Sequence, residues 1–136
     1  MLKVELVDSK KEWDEFVKNC SSSSFYHCWD WLRIMENYGS ANLPDGFGNL
    51  KLYTFGIYDN NNLVAIFPFY ANKFILLSPI YKVECHYLGP VIKTDDMNEY
   101  RIQRTYYNVI EKLVESIKQL NPLITKIKTT PGFYDY

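Results

Sequence analysis

Residues 50–70 read LKLYTFGIYDNNNLVAIFPFY, and this stretch decides the fold class. Leu50 to Tyr58 and Leu63 to Tyr70 are rich in aromatic and branched residues, which fit a pleated, half-buried surface. Between them, Asp59-Asn60-Asn61-Asn62 supplies side chains that tolerate positive φ, so the two runs predict a β-hairpin. Pro68 has no N–H to give to a ladder. Its place inside the second strand predicts a bulge, a sheet edge or a point where strands part.

Upstream of the hairpin, Lys3 to Val7 alternates and reads as a short strand. Ser9 and Glu12 then form a capping-box pattern, in which each can satisfy the other's orphan amide. Trp13, Phe16, Val17 and Cys20 make one apolar stripe on the helix that follows. Ser21 to Ser24 end that helix, because serine competes for backbone hydrogen bonds and favours caps and turns. A second helix is expected from about Tyr26 to Tyr38, with Cys28, Trp31, Leu32, Met35 and Tyr38 on one face and Gly39 at its C-cap. Ser40 to Asn49 holds Pro44, Gly46 and Gly48 and reads as a loop.

Downstream, Phe74 to Leu77 and Cys85 to Ile92 are shorter apolar runs, the second broken by Gly89-Pro90. Asp96 and Glu99 give a second capping-box pattern. The helix after it carries Ile102, Tyr106, Val109, Ile110, Leu113, Ile117 and Leu120 at helical spacing, and Asn121-Pro122 ends it. Ile124 to Thr130 alternates as a last strand. The order β-α-α-β-β-β-α-β predicts an α/β (α+β) fold, a mixed and mainly antiparallel sheet flanked by helices. The crossover from the strand around Val91 through the long helix to Ile124 predicts a right-handed parallel pair.

Composition narrows the function classes. The 136 residues suit a single domain, residues 1–136, and can bury a real core. Fifteen Lys and Arg against sixteen Asp and Glu leave a net charge of -1, without the basic excess of a nucleic-acid binder. No stretch approaches the roughly 20 apolar residues of a membrane helix, and Met1 to Asp8 lacks the pattern of a signal peptide. Cys20, Cys28 and Cys85 are odd in number with no CxxC spacing, which predicts a reduced, cytoplasmic protein. The chain has 12 Tyr, 8 Phe and 3 Trp but Ala only at positions 41, 65 and 71, so the core must be built from large residues.

Chemistry-bearing residues give few constellations. His27-Cys28 and Cys85-His86 do not make a metal site, since chain neighbours rarely both reach one tetrahedral centre. Buried cysteine with surface or capped histidine is the expected arrangement. The serines near His27 lack a G-x-S-x-G elbow and sit where a helix needs capping. Asp45-Gly46-Phe47-Gly48 is too short for a dinucleotide fingerprint. Trp13 and Trp31 lie on core stripes, which leaves Trp29 as the more available indole.

Three segments together resemble a known family. They are the helix-serine-helix segment Trp13 to Leu32, ending Ser23-Ser24-Phe25-Tyr26-His27-Cys28-Trp29-Asp30-Trp31-Leu32; the hairpin Phe55-Gly56-Ile57-Tyr58 through Leu63 to Tyr70; and Tyr87-Leu88-Gly89-Pro90-Val91-Ile92. They resemble the N-terminal part of a FemAB-like (FemABX-like) protein of the GNAT, or acyl-CoA N-acyltransferase, superfamily. The resemblance implies a GNAT-like fold, incomplete at the C-terminus, and transfer of an acyl or aminoacyl group to an amine. It implies an acceptor-side pocket at the splayed strands, lined by Pro68, Tyr70, Tyr87, Gly89, Pro90, Tyr134 and Asp135, with no general base assigned. Family members place a glycine-rich loop for the coenzyme A pyrophosphate before the long helix. Here Lys93-Thr94-Asp95-Asp96-Met97-Asn98-Glu99 has no glycine and its acids repel phosphate, so acetyl-CoA is not expected as a cofactor of this chain. Aminoacyl-tRNA enters only through the resemblance. The last strand is expected to leave an open sheet edge for a homodimer partner or a C-terminal half to cover. A non-catalytic GNAT-like binding module, completed by dimerisation, is the rival reading.

Overall fold

The computed structural model describes residues 1–41, 50–73, 80–85, 89–122 and 124–127. The hairpin forms as its residues dictate. Strand β2, Lys51–Asp59, pairs antiparallel with β3, Asn62–Lys73. Asn60 and Asn61 turn the chain with φ of 47° and 68°, both in the left-handed region a tight two-residue turn demands. Val64 is an extra residue in the ladder, since Tyr58 faces Leu63 while Ile57 faces Ala65.

Strand β1, Leu2–Leu6, pairs antiparallel with the outer side of β2. Thr54 then holds the chain leaving β1, its hydroxyl donating to the Val7 carbonyl at 2.6 Å while its own carbonyl takes the Val7 N–H at 2.8 Å. On the other side, β3 pairs with two strands, β4, Ile80–Cys85, and β5, Val91–Ile92. Strand β6, Ile124–Ile127, runs parallel to β4. The sheet order is β1-β2-β3-β4-β6, with β5 beside β3. The architecture is therefore α+β with a mixed, mainly antiparallel sheet. The parallel partner of the last strand is β4 rather than the strand around Val91, because only Lys82–Cys85 lies alongside Ile124–Ile127. The Phe74 to Leu77 run lies outside the described residues, as does the chain beyond Ile127.

Helix α1, Lys10–Asn19, starts at Ser9, whose hydroxyl accepts the Glu12 N–H at 3.2 Å, and buries Trp13, Phe16 and Val17. The expected box is half used, for the Glu12 carboxylate takes the Tyr58 hydroxyl at 3.0 Å. A single 3-10 turn, Phe25–His27, precedes α2, Trp29–Ala41. Gly39 does not cap α2 but lies inside it. Leu50 presses so close that a Cβ there would sit 2.6 Å from its Cδ2. Helix α3, Glu99–Gln119, begins at Asn98 and not at Asp96, which stands at φ 61°.

The register shows which face each helix covers. Tyr53, Phe55 and Ile57 lie opposite Phe69, Phe67 and Ala65, and Tyr53 stacks on Phe69 at 5.0 Å between ring centres. On the opposite face, Tyr70 reaches α2 and Tyr58 reaches α1 by their hydroxyls. Helix α3 packs chiefly on β1, whose half-buried Leu2 and Val4 share the aromatic face with Ile57. Large side chains fill the centre, with Trp13, Phe67 and Phe69 among the most deeply buried.

Candidate functional site

The ladder on the far side of β3 is interrupted. Ala65 and Ile66 pair with Ile92 and Val91, and Tyr70 to Lys73 pair with Glu84 to Ile80. The two ladders run in the same direction but differ in register by three residues. Between Glu84 and Val91 the sequence has six residues where β3 has three between Tyr70 and Ile66, which accounts for the offset. Phe67, Pro68 and Phe69 lie in the gap, with no ladder partner on that side among the described residues. The backbone groups of β3 alternate sides, and the Val64 carbonyl accepts from Lys93 on the β5 side at 2.9 Å. Counting on by two through Ile66, Pro68 turns its missing N–H into the same gap. Proline therefore sits where strands part, and no ladder bond is lost.

The inserted segment is held from behind. Gly89 and Pro90 are buried, and the Gly89 carbonyl accepts from His27 Nε2 at 3.4 Å. His27 Nδ1 accepts the Ser24 N–H at 3.1 Å and lies 3.0 Å from the Ser24 hydroxyl. These partners select the neutral tautomer with its proton on Nε2. Burial lowers the His27 pKa from its ordinary value, the hydrogen bond to the Gly89 carbonyl opposing it in part. The His27 carbonyl in turn takes the Trp13 indole N–H at 2.7 Å. A continuous chain of contacts runs from α1 through the 3-10 turn to Gly89. The sequence signal for it was small: a histidine three residues after the serine that precedes the turn.

Of the residues expected to line an acceptor pocket, Pro68, Tyr70, Gly89 and Pro90 are described, and all belong to β3 or to the segment inserted opposite it. Tyr70 is already engaged, its hydroxyl donating to the Leu32 carbonyl of α2 at 3.0 Å. Tyr87, Tyr134 and Asp135 lie outside the described residues. A separate open hollow of about 190 Å³ lies between α1 and the ends of β3 and β5. Phe16, Cys20 and Leu63 give it apolar walls, and Glu12, Glu15, Asn19 and Lys93 its polar ones.

The tryptophans exchange the roles read from sequence. Trp29 packs against the core, edge-on to Trp13 at 6.1 Å, with the Arg33 guanidinium 4.9 Å over its ring. Trp31 instead joins Phe25 and Tyr26, at 5.1 and 5.8 Å, in a cluster whose outer rings are exposed. Tyr38, expected on the buried face, is exposed. The reason is polar: the Glu36 carboxylate takes the Leu52 N–H, which turns that side of α2 to the sheet.

Burial, followed by the charges of Asp14 and Asp30, raises the Cys28 pKa, so its thiol resists becoming a nucleophile. Cys20 is buried, with Sγ 3.5 Å from the Ile92 carbonyl. Among the described residues no three His, Cys, Asp or Glu side chains gather as a metal site, and no helix is long and apolar enough to cross a membrane. The N-terminus of α3 is closed by its own Asn98, whose Oδ1 accepts the Arg101 N–H at 2.9 Å, and Glu99 adds negative charge to the first turn. Neither protein families, nor curated proteins, nor solved structures give a match to this chain.

Proposed function

We propose that this chain is a GNAT-like domain of an N-acyltransferase, passing an acyl or aminoacyl group to an amine, and that it shapes the acceptor side of the reaction. The observation that carries the reading is the break in strand pairing at Pro68. Two ladders on β3 offset by three residues, a long helix and a last strand parallel to β4 part the described pairing at Pro68, beside Gly89-Pro90, whose Gly89 carbonyl is bonded by His27. In such a transfer the amine nitrogen attacks the acyl carbon, the bond to the donor's sulfur or oxygen breaks, and the ammonium proton passes to solvent. Positioning supplies most of the acceleration, so a site without a strong base is sufficient.

The donor is held elsewhere in this reading. A helix N-terminus attracts pyrophosphate through free N–H groups and positive potential, and the Asn98 cap and Glu99 weaken both at α3. The same observation favours the second reading, a non-catalytic binding module on the same fold. Incubation with a mixture of amine-bearing peptides and either acetyl-CoA or aminoacyl-tRNA, read by mass spectrometry, separates the two. Acylated peptide supports the transferase, and its absence with both donors supports the module. A concentration-dependent rise in Tm with acetyl-CoA overturns the absence of a coenzyme A site in this chain.

A further inference from the structure

Helix α3 carries two apolar stripes, and the fold uses one. Val109, Leu113 and Ile117 are buried. About 100° round the helix lie Tyr100 and Tyr107, each 69% exposed, with Ile110 at 38% and Val114 at 40%. Tyr100, Tyr107 and Val114 recur every seven residues, with Gln103 and Ile110 between, the a and d spacing of a coiled-coil seam. Helix α3 packs chiefly on β1, the strand at one end of the sheet.

We infer that this stripe is the contact surface for a second copy of the same chain, the two α3 helices packing antiparallel about a two-fold axis at Tyr107. The flanks of the seam decide the direction. On one flank Tyr106 and Leu113 turn to their own core. Only the other flank, with Arg104 and Glu111, is free to meet a partner. Both are exposed and unpaired among the described residues. Antiparallel packing sets this free flank against its own copy, so that Arg104 meets Glu111 of the second copy, and Glu111 its Arg104. Tyr100 then meets Val114, and Tyr107 meets Tyr107. A parallel pair would need the flank that the core already occupies. The surface is self-complementary in shape order and in charge, as a two-fold interface requires. The inference is independent of the acyl-transfer reading.

Sedimentation equilibrium of the whole chain tests it. The expected result is a reversible monomer–dimer equilibrium. Arg104→Glu turns both ion pairs into repulsions and raises the dimer Kd roughly tenfold. Glu111→Arg does the same, and the double variant R104E/E111R restores the wild-type Kd. Tyr107→Lys gives a monomer whose circular dichroism matches wild type, since the side chain is exposed. A wild-type chain that stays monomeric up to millimolar concentration overturns the inference. So does a dimer that Arg104→Glu leaves intact, or one that the double variant fails to restore.

Discussion

Acid should loosen this fold through one residue. His27 is fully buried, accepts the Ser24 N–H at Nδ1 and donates from Nε2 to Gly89. A second proton can enter only at Nδ1, where it would face the Ser24 N–H and carry charge into the core. The native pKa is therefore lowered from 6.5, while the unfolded chain titrates near 6.5. Between the two values the unfolded state binds more protons, so stability is complete above about pH 6.5 and falls as pH drops towards the native pKa. One such group contributes a slope of at most about 1.4 kcal/mol per pH unit. The assay is urea unfolding from about pH 7.5 to 5, wild type against His27→Gln. Carboxylate titrations are common to both, so the difference isolates the imidazole. The variant is expected to be less stable at neutral pH and to lose stability less steeply on acidification. Equal slopes in the two proteins would refute the argument. So would histidine ring shifts by NMR that place the His27 pKa at or above 6.5 in the folded wild type.

Three further outcomes are expected. Gly56→Ala puts a Cβ 2.5 Å from Val7 Cγ2 and 2.9 Å from Leu63 Cδ1, and urea unfolding should show a loss of about 1–3 kcal/mol despite the better strand propensity of alanine. The Tyr58 hydroxyl, raised to about 12 by burial and then by the Glu12 carboxylate, should ionise at lower pH in Glu12→Gln, as ring-carbon NMR would show. Asn98→Ala removes the cap of α3 and should cost about 1 kcal/mol by thermal or urea unfolding.

What could be read from the sequence was what neighbouring residues decide among themselves. Asn60-Asn61 makes its own turn, Ser9 caps its own helix, and the stripes of α1 and α3 are periodic whatever covers them. What could not be read depends on residues far along the chain. Gly39 looked like a helix end because glycine favours left-handed ends, yet here it makes room for Leu50. Trp29 and Trp31 stand about 200° apart on one helix, so only one can face the sheet. Counting apolar neighbours chose Trp31, whereas Glu36, a charged residue, turns α2 by binding the Leu52 N–H. Pro68 announced an irregularity, but the three-residue offset between β4 and β5 is a property of pairing. The interruption also explains why Gly89-Pro90 breaks an otherwise apolar run, and why His27 is needed behind it.

The order of strands in the sheet carries a kinetic consequence. Strands β2 and β3 join through a two-residue turn and can zip as soon as that turn forms. Strand β1 must then be recovered across the whole of α1 and α2, and β6 must return to β4 across α3. Both closures lose chain entropy before any contact compensates. Refolding is therefore expected to be fast in the central hairpin and slow at its two margins, with amide protection spreading outwards from Phe55 and Phe67.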